Sequence, residues 1–211
     1  MTGPTGAALA RTTVTRAEQR AFTAQGYVGL PGLWDERLAD ALAAEARARR
    51  PHAKVPARGP RTPLADGRRP GPGIPAAGGP LLARVHLALV GAARELTGRL
   101  LVPTFAAYGY YEGDDRVLLH VDTEQCDLTL LTAAYGAVTP LHLHPDLVGS
   151  TMERLGRLED DPSWDRAGGI PVSYPRTGVT ALNGHVVPHH RPRDPAPGSS
   201  AVAALCYRAL F

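Results

Sequence analysis

The segment Leu118-Leu-His120-Val-Asp122-Thr-Glu-Gln-Cys126-Asp-Leu-Thr129-Leu-Leu-Thr132 decides the reading of this 211-residue chain. Successive side chains of a strand point to opposite faces, so His120 and Asp122 share one. A carboxylate in a half-buried strand needs a partner, and a metal ion is one such partner. An imidazole and a carboxylate so placed are two of the three ligands of a 2-His-1-carboxylate site for non-haem Fe(II), with a second histidine still to come. The competing reading is a strand that ends in a solvated aspartate.

Five histidines follow: His142, His144, His185, His189 and His190. Thr180-Ala-Leu182-Asn-Gly184 offers a strand and a tight turn, and Pro188-His189 opens the next strand. His189 and His190 are adjacent, so only one of them can point inward. His189 is the preferred third ligand, with His185 and His190 as alternatives.

Composition narrows the field. The apolar fraction of 44% fits a globular chain with one sizeable core. The net charge of +3 comes almost wholly from arginine, since Lys54 is the only lysine. Basic residues without interleaved aromatics make no case for nucleic acid. No apolar run approaches a membrane span and no signal-peptide core is present, so a cytoplasmic protein is expected. Cys126 and Cys206 both lie in apolar, strand-like runs and are read as reduced core residues.

The chain divides into four stretches of one domain, 1–211. Residues 1–50 are helical. Thr15 and Glu18 have the spacing of a capping box, Gly26 ends that helix, and Asp35–Arg50 forms a second. Residues 51–80 hold eight prolines, six glycines and five basic residues without periodicity. They form a flexible insert or a lid, and the basic part from Lys54 to Arg69 would suit recognition of a carboxylate or phosphate. Residues 81–100 resume helical periodicity. Residues 101–211 carry short strands: Ala106–Tyr111, Val117–Asp122, Leu128–Tyr135, Pro140–His144, Gly178–Leu182, Val186–His190 and Ser200–Tyr207. A surface helix is predicted over Ser150–Leu158. Helices followed by strands predict a mainly β barrel or sandwich supported by packed helices.

Three stretches carry a family resemblance. Thr15-Arg-Ala-Glu-Gln-Arg-Ala-Phe22, followed by Gly26-Tyr-Val-Gly-Leu-Pro31-Gly, resembles the entry helix and first strand of phytanoyl-CoA hydroxylase-like Fe(II)/2-oxoglutarate oxygenases. Tyr108-Gly-Tyr-Tyr-Glu-Gly113-Asp, with Leu119-His120-Val-Asp122, Cys126 and Thr129, resembles the first metal strand of that superfamily, above all of its prolyl-hydroxylase-like members. Gly178-Val-Thr-Ala-Leu182-X6-His189 resembles the strand and turn before the distal histidine.

The resemblance implies a double-stranded β-helix (a jelly-roll, cupin-like barrel) holding Fe(II) through His120, Asp122 and His189. It implies 2-oxoglutarate as cosubstrate, O2 as oxidant, succinate and CO2 as coproducts, and a small-molecule substrate such as an amino acid or biosynthetic intermediate. Because Asp122 is present where related halogenases carry a small residue, hydroxylation, desaturation or ring formation is favoured over halogenation. No nucleic acid or membrane partner is implied; a monomer or homodimer is expected.

One departure stands out. The family's basic residue for the far carboxylate of 2-oxoglutarate would fall near Ser200, where Ser199-Ser200-Ala-Val has no cation. A buried dicarboxylate still requires charge-assisted hydrogen bonds. Arg191 and Arg208 are the preferred cations, with Arg193 and Arg116 behind them. Tyr108, Thr129 and Ser200 are candidates for neutral contacts, as are Tyr110 and Thr132. The main rivals are a catalytically silent barrel and a cupin-type site. Gly136-X5-His142-Leu-His144 opens like a cupin motif, but the expected glutamate is replaced by Pro145-Asp146-Leu. Trp164 is read as a loop residue docking a helix or lining a substrate mouth, and Asp114-Asp115 as a solvated turn.

Overall fold

Local signals set the first elements. The Thr15 side chain accepts from the Glu18 amide at 3.2 Å, and the Glu18 carboxylate accepts from the Thr15 amide at 2.7 Å. This capping box starts α1 (Arg16–Gln25), and Gly26, left-handed at φ 77°, ends it. β1 (Tyr27–Leu30) follows, then α2 (Glu36–Arg49), whose Asp35 side chain caps the Leu38 amide. The computed structural model describes residues 9–53, 74–112, 115–165, 168–192 and 198–211. Most of the basic insert, Gly113-Asp114 and Arg193 lie outside the described residues.

The predicted irregular stretch 51–80 ends differently from expectation, because Ile74–Ala77 forms β2 on the edge of a sheet. The single helix predicted over 81–100 is two, α3 (Pro80–Ala88) and α4 (Val90–Thr97). The bend at buried Leu89 keeps both apolar stripes on a twisted sheet. The rest is β3 (Leu101–Glu112), β4 (Val117–His120), β5 (Leu128–Tyr135), β6 (Leu141–Leu143), α5 (Met152–Asp160), β7 (Ile170–Val172), β8 (Val179–Leu182), β9 (His189–Arg191) and β10 (Ser199–Ala209). β7 was not foreseen, and the strand predicted from Val186 begins only at His189 because residues 183–188 are a turn.

The strands make two antiparallel sheets, ordered β1-β8-β5-β10-β3-β2 and β4-β9-β6-β7. Alternation along β10 shows how they are used. Ala201, Ala203, Leu205 and Tyr207 join the core formed with Leu38, Leu42, Leu82 and Leu96 of the helices. Val202, Ala204 and Cys206 face the other way, into the space shared with the smaller sheet. The large sheet is therefore covered by helices on one side and lines a cavity on the other. No described helix is long and apolar enough to cross a membrane.

Candidate metal centre and its cavity

His120 closes β4 and His189 opens β9, and the two residues are register partners across the small sheet. Their rings lie 4.3 Å apart between centroids. Asp122 sits just beyond the strand, where its amide donates to the Gly184 carbonyl at 2.7 Å. A Cβ on Gly184 would overlap the Asp122 carboxylate, so only glycine lets the turn approach this closely. One ligand atom from each of His120, Asp122 and His189 lies within 4.8 Å of the others, the one such grouping among the described residues.

The hydrogen bonds orient the three donors. Nδ1 of His120 bonds the Leu118 carbonyl at 2.7 Å, and Nδ1 of His189 bonds that of Val187 at 2.9 Å. Each imidazole is thus held by the carbonyl two residues earlier, with the Nε2 atom turned to the centre. Both Nε2 atoms stand 3.6 Å from Asp122 Oδ1. The other oxygen, Oδ2, accepts from the Thr129 hydroxyl at 2.6 Å. Burial alone raises the Asp122 carboxyl, but the hydrogen bonds and charges of His120 and His189 hold it well below the usual carboxylate range. Two imidazoles and an ionised carboxylate on one side of a point fit an octahedral ion with positions left open.

The triad opens into a cavity of about 350 Å³. Phe105, Thr123, Cys126 and Cys206 are among its lining residues, as are Tyr111, Val117, Leu141 and Tyr174. Arg191 packs against the Tyr111 of this lining. It lies two residues after His189 and so on the same strand face, is only 1% exposed, and none of its three nitrogens has a hydrogen-bond partner among the described residues. Its guanidinium stacks on Tyr111, 3.3 Å from the ring centroid. Burial drives the hydroxyls of Tyr111 and Tyr174 up, the nearby Arg191 charge only partly offsetting it, so both are protonated donors. Gly109 makes room for Tyr111, since a Cβ there would come 2.9 Å from its hydroxyl.

Solved structures share this architecture. HygX from Streptomyces hygroscopicus, crystallised with nickel and 2-oxoglutarate, superposes with a TM-score of 0.64 at 16% identity, over 94% of this chain and 89% of its own. The non-haem α-ketoglutarate-dependent carbocyclase SnoK from nogalamycin biosynthesis gives 0.65 at 15% identity, over 96% and 86%. A Pseudomonas putida prolyl-4-hydroxylase gives 0.60 at 13%, over 92% and 98%. The fold is that of the 2-oxoglutarate-dependent oxygenases. No protein-family model matches the sequence, and no curated protein does.

Within this double-stranded β-helix the other candidates separate by strand parity. Tyr108 does not face the cavity; it is on the helix side, its hydroxyl donating to Glu45 at 2.9 Å. Tyr110 likewise donates to the Ala46 carbonyl. The aromatic residues that line the cavity are Phe105, Tyr111 and Tyr174, none of which the sequence singles out. Thr129 is committed to Asp122, and Thr132 donates to the Pro175 carbonyl. Ser200 is buried directly across from Tyr111. Arg208 is exposed at the end of β10, away from the cavity lining. Arg116 pairs with buried Glu159 at 3.3 Å.

His190 turns away from the triad and bonds His144 Nε2 at 2.9 Å, with Trp164 packed on both rings. Trp164 is therefore a docking residue. His185 is exposed in the turn, its Nδ1 3.1 Å from the Asp122 carbonyl oxygen. His142 reaches the Gly168 carbonyl, and among the described residues no metal-binding grouping includes His142 or His144. One reading needs correction outright: Cys126 and Cys206 are joined as a disulfide. Their apolar flanks foretold burial, but only the pairing of β10 with β5, which sets Cys206 opposite Thr129, brings Cys126 beside it.

Proposed function

We propose that this chain is an Fe(II)- and 2-oxoglutarate-dependent oxygenase that hydroxylates a small molecule, with His120, Asp122 and His189 holding the metal. The observation that carries the reading is Arg191, a buried guanidinium without a hydrogen-bond partner among the described residues, on the strand face of His189 and stacked on Tyr111 of the triad's cavity. Burying a cation unpaired costs several kcal/mol, roughly, so such a residue is kept where an anion will meet it. Alternate residues of a strand are about 7 Å apart, which suits a five-carbon dicarboxylate spanning from metal to guanidinium. The Tyr111 and Tyr174 hydroxyls are donors for the same far carboxylate.

The remaining residues have definable tasks. Thr129 fixes the plane of Asp122, and the Leu118 and Val187 carbonyls fix the imidazoles. Leu131, Leu141 and Val202 keep water from the cosubstrate. When bound, Fe(II) with 2-oxoglutarate and O2 supplies an oxidant able to remove a hydrogen atom from the substrate, and succinate and CO2 leave. Asp122, a carboxylate where a halogenase would carry a small residue, weighs against halogenation and is compatible with hydroxylation, desaturation or ring formation. HygX has been crystallised with hygromycin B as well as nickel and 2-oxoglutarate, in line with a small-molecule substrate here. Arg191 also supplies a cation in place of the one missing near Ser200, which weighs against a catalytically silent barrel.

Anaerobic titration of the metal-free protein with Fe(II) and then 2-oxoglutarate tests the reading. A visible metal-to-ligand charge-transfer band is expected. Iron bound without that band would overturn the 2-oxoglutarate assignment.

A further inference from the structure

Cys126 and Cys206 line the same cavity as the triad, and both are almost wholly buried. Their positions are specific. Cys126 comes four residues after Asp122 and three before Thr129, so it anchors the short loop joining the two. Cys206 is the β10 partner of Thr129, and its sulfur lies 3.8 Å from the Thr129 hydroxyl. That hydroxyl is the group that holds Asp122 Oδ2. The disulfide thus fastens the Asp122–Thr129 loop to the central strand of the large sheet, one atom away from the hydrogen bond that aims the carboxylate.

We infer that the Cys126–Cys206 pair is a redox site that sets the affinity of the triad for its metal. The reaction is thiol–disulfide exchange with a small thiol reaching the pair through the cavity. Two equivalents of that thiol supply two electrons and two protons and leave as their own disulfide, while the Cys126–Cys206 bond becomes two thiols. Two unbonded sulfurs need van der Waals separation, well beyond a covalent bond. In a close-packed wall that extra space is taken from the neighbours, and the nearest polar one is Thr129. The reduced protein then presents Asp122 less well ordered. Loss of a supporting hydrogen bond of this kind weakens metal binding about tenfold or more. The inference rests on the metal reading of the triad, and the test separates the two.

The experiment is titration of the metal-free protein with Co(II), followed by its visible absorption, before and after reduction with dithiothreitol. Free thiols are counted in each state. The oxidised protein should bind Co(II) about tenfold more tightly than the reduced one, with two thiols released on reduction. The double variant Cys126→Ala/Cys206→Ala, which has neither the cross-link nor the two thiols, should show one affinity that ignores dithiothreitol. Equal affinity in the two redox states of the wild type overturns the redox inference alone. So does a protein whose thiols cannot be oxidised to the paired form. Failure of Co(II) to bind in either state overturns the metal reading as well.

Discussion

Arg191 is the residue on which the functional reading turns, and its replacement has an unusual signature. Arg191→Met keeps the length of the side chain and removes a buried charge that has no hydrogen-bond partner among the described residues. Stability should be unchanged or raised by about 1–4 kcal/mol, as when buried ionic groups give way to apolar ones. Affinity for 2-oxoglutarate should fall at least a hundredfold, roughly 2.7 kcal/mol, by calorimetry on the Fe(II) or Ni(II) protein. Affinity for the metal should stay. Thr129→Val should do the reverse, weakening the metal about tenfold with little effect on 2-oxoglutarate once iron is bound. Gly184→Ala drives a methyl group into the Asp122 carboxylate and should abolish metal binding, seen as loss of Co(II) absorption.

At the scale of elements, the entry helix is held by a small charged network with a definite pH response. Arg11 donates twice to Glu18, at 3.0 and 2.6 Å, and Glu18 also takes the Thr15 amide. The Arg11 hydrogen bond, against some desolvation, brings the Glu18 carboxyl down to about 2. A carboxyl depressed on folding stabilises fully above its unfolded value of 4.5, and the contribution fades as pH drops toward 2. Thermal melts between pH 6 and pH 2.5 should therefore converge for the wild type and Glu18→Gln, the variant being less stable only at the upper end. Thr15→Ala should cost about 1 kcal/mol at neutral pH, through loss of the cap. Neither change should alter metal affinity, because α1 packs on the far side of the large sheet from the cavity.

For the whole molecule, both sheets line the cavity that holds the three candidate ligands, so occupancy of the site should report on global stability. A metal and 2-oxoglutarate at about a hundred times their dissociation constants stabilise by about 2.7 kcal/mol each. In a chain of this size that is roughly a 5–10 °C rise in melting temperature for each ligand. Chelation of the metal should reverse both, since Arg191 alone is a weak site for a dicarboxylate. A melting temperature indifferent to Fe(II) would sink the placement of the ion between β4 and β9.

Much of this was legible in the chain. Capping signals and Gly26 marked α1, Asp35 marked α2, and apolar runs marked the barrel strands, because these are determined by residues within a turn or two of one another. His120 and Asp122 could be picked out as a pair for the same reason: period-two alternation is local. Adjacency of His189 and His190 announced that one faces in and the other out, but which one depended on the turn at Asn183–Pro188 and on His144 and Trp164 receiving His190. Tyr108 and Tyr110 read as candidates and Tyr111 does not, because which parity along β3 meets the cavity has no origin in sequence; the helices on one face of the sheet decide it. The disulfide and the unpaired guanidinium of Arg191 were likewise beyond reach. Each is a relation between strands distant in the chain, and burial with or without a partner is a property only the packed structure confers.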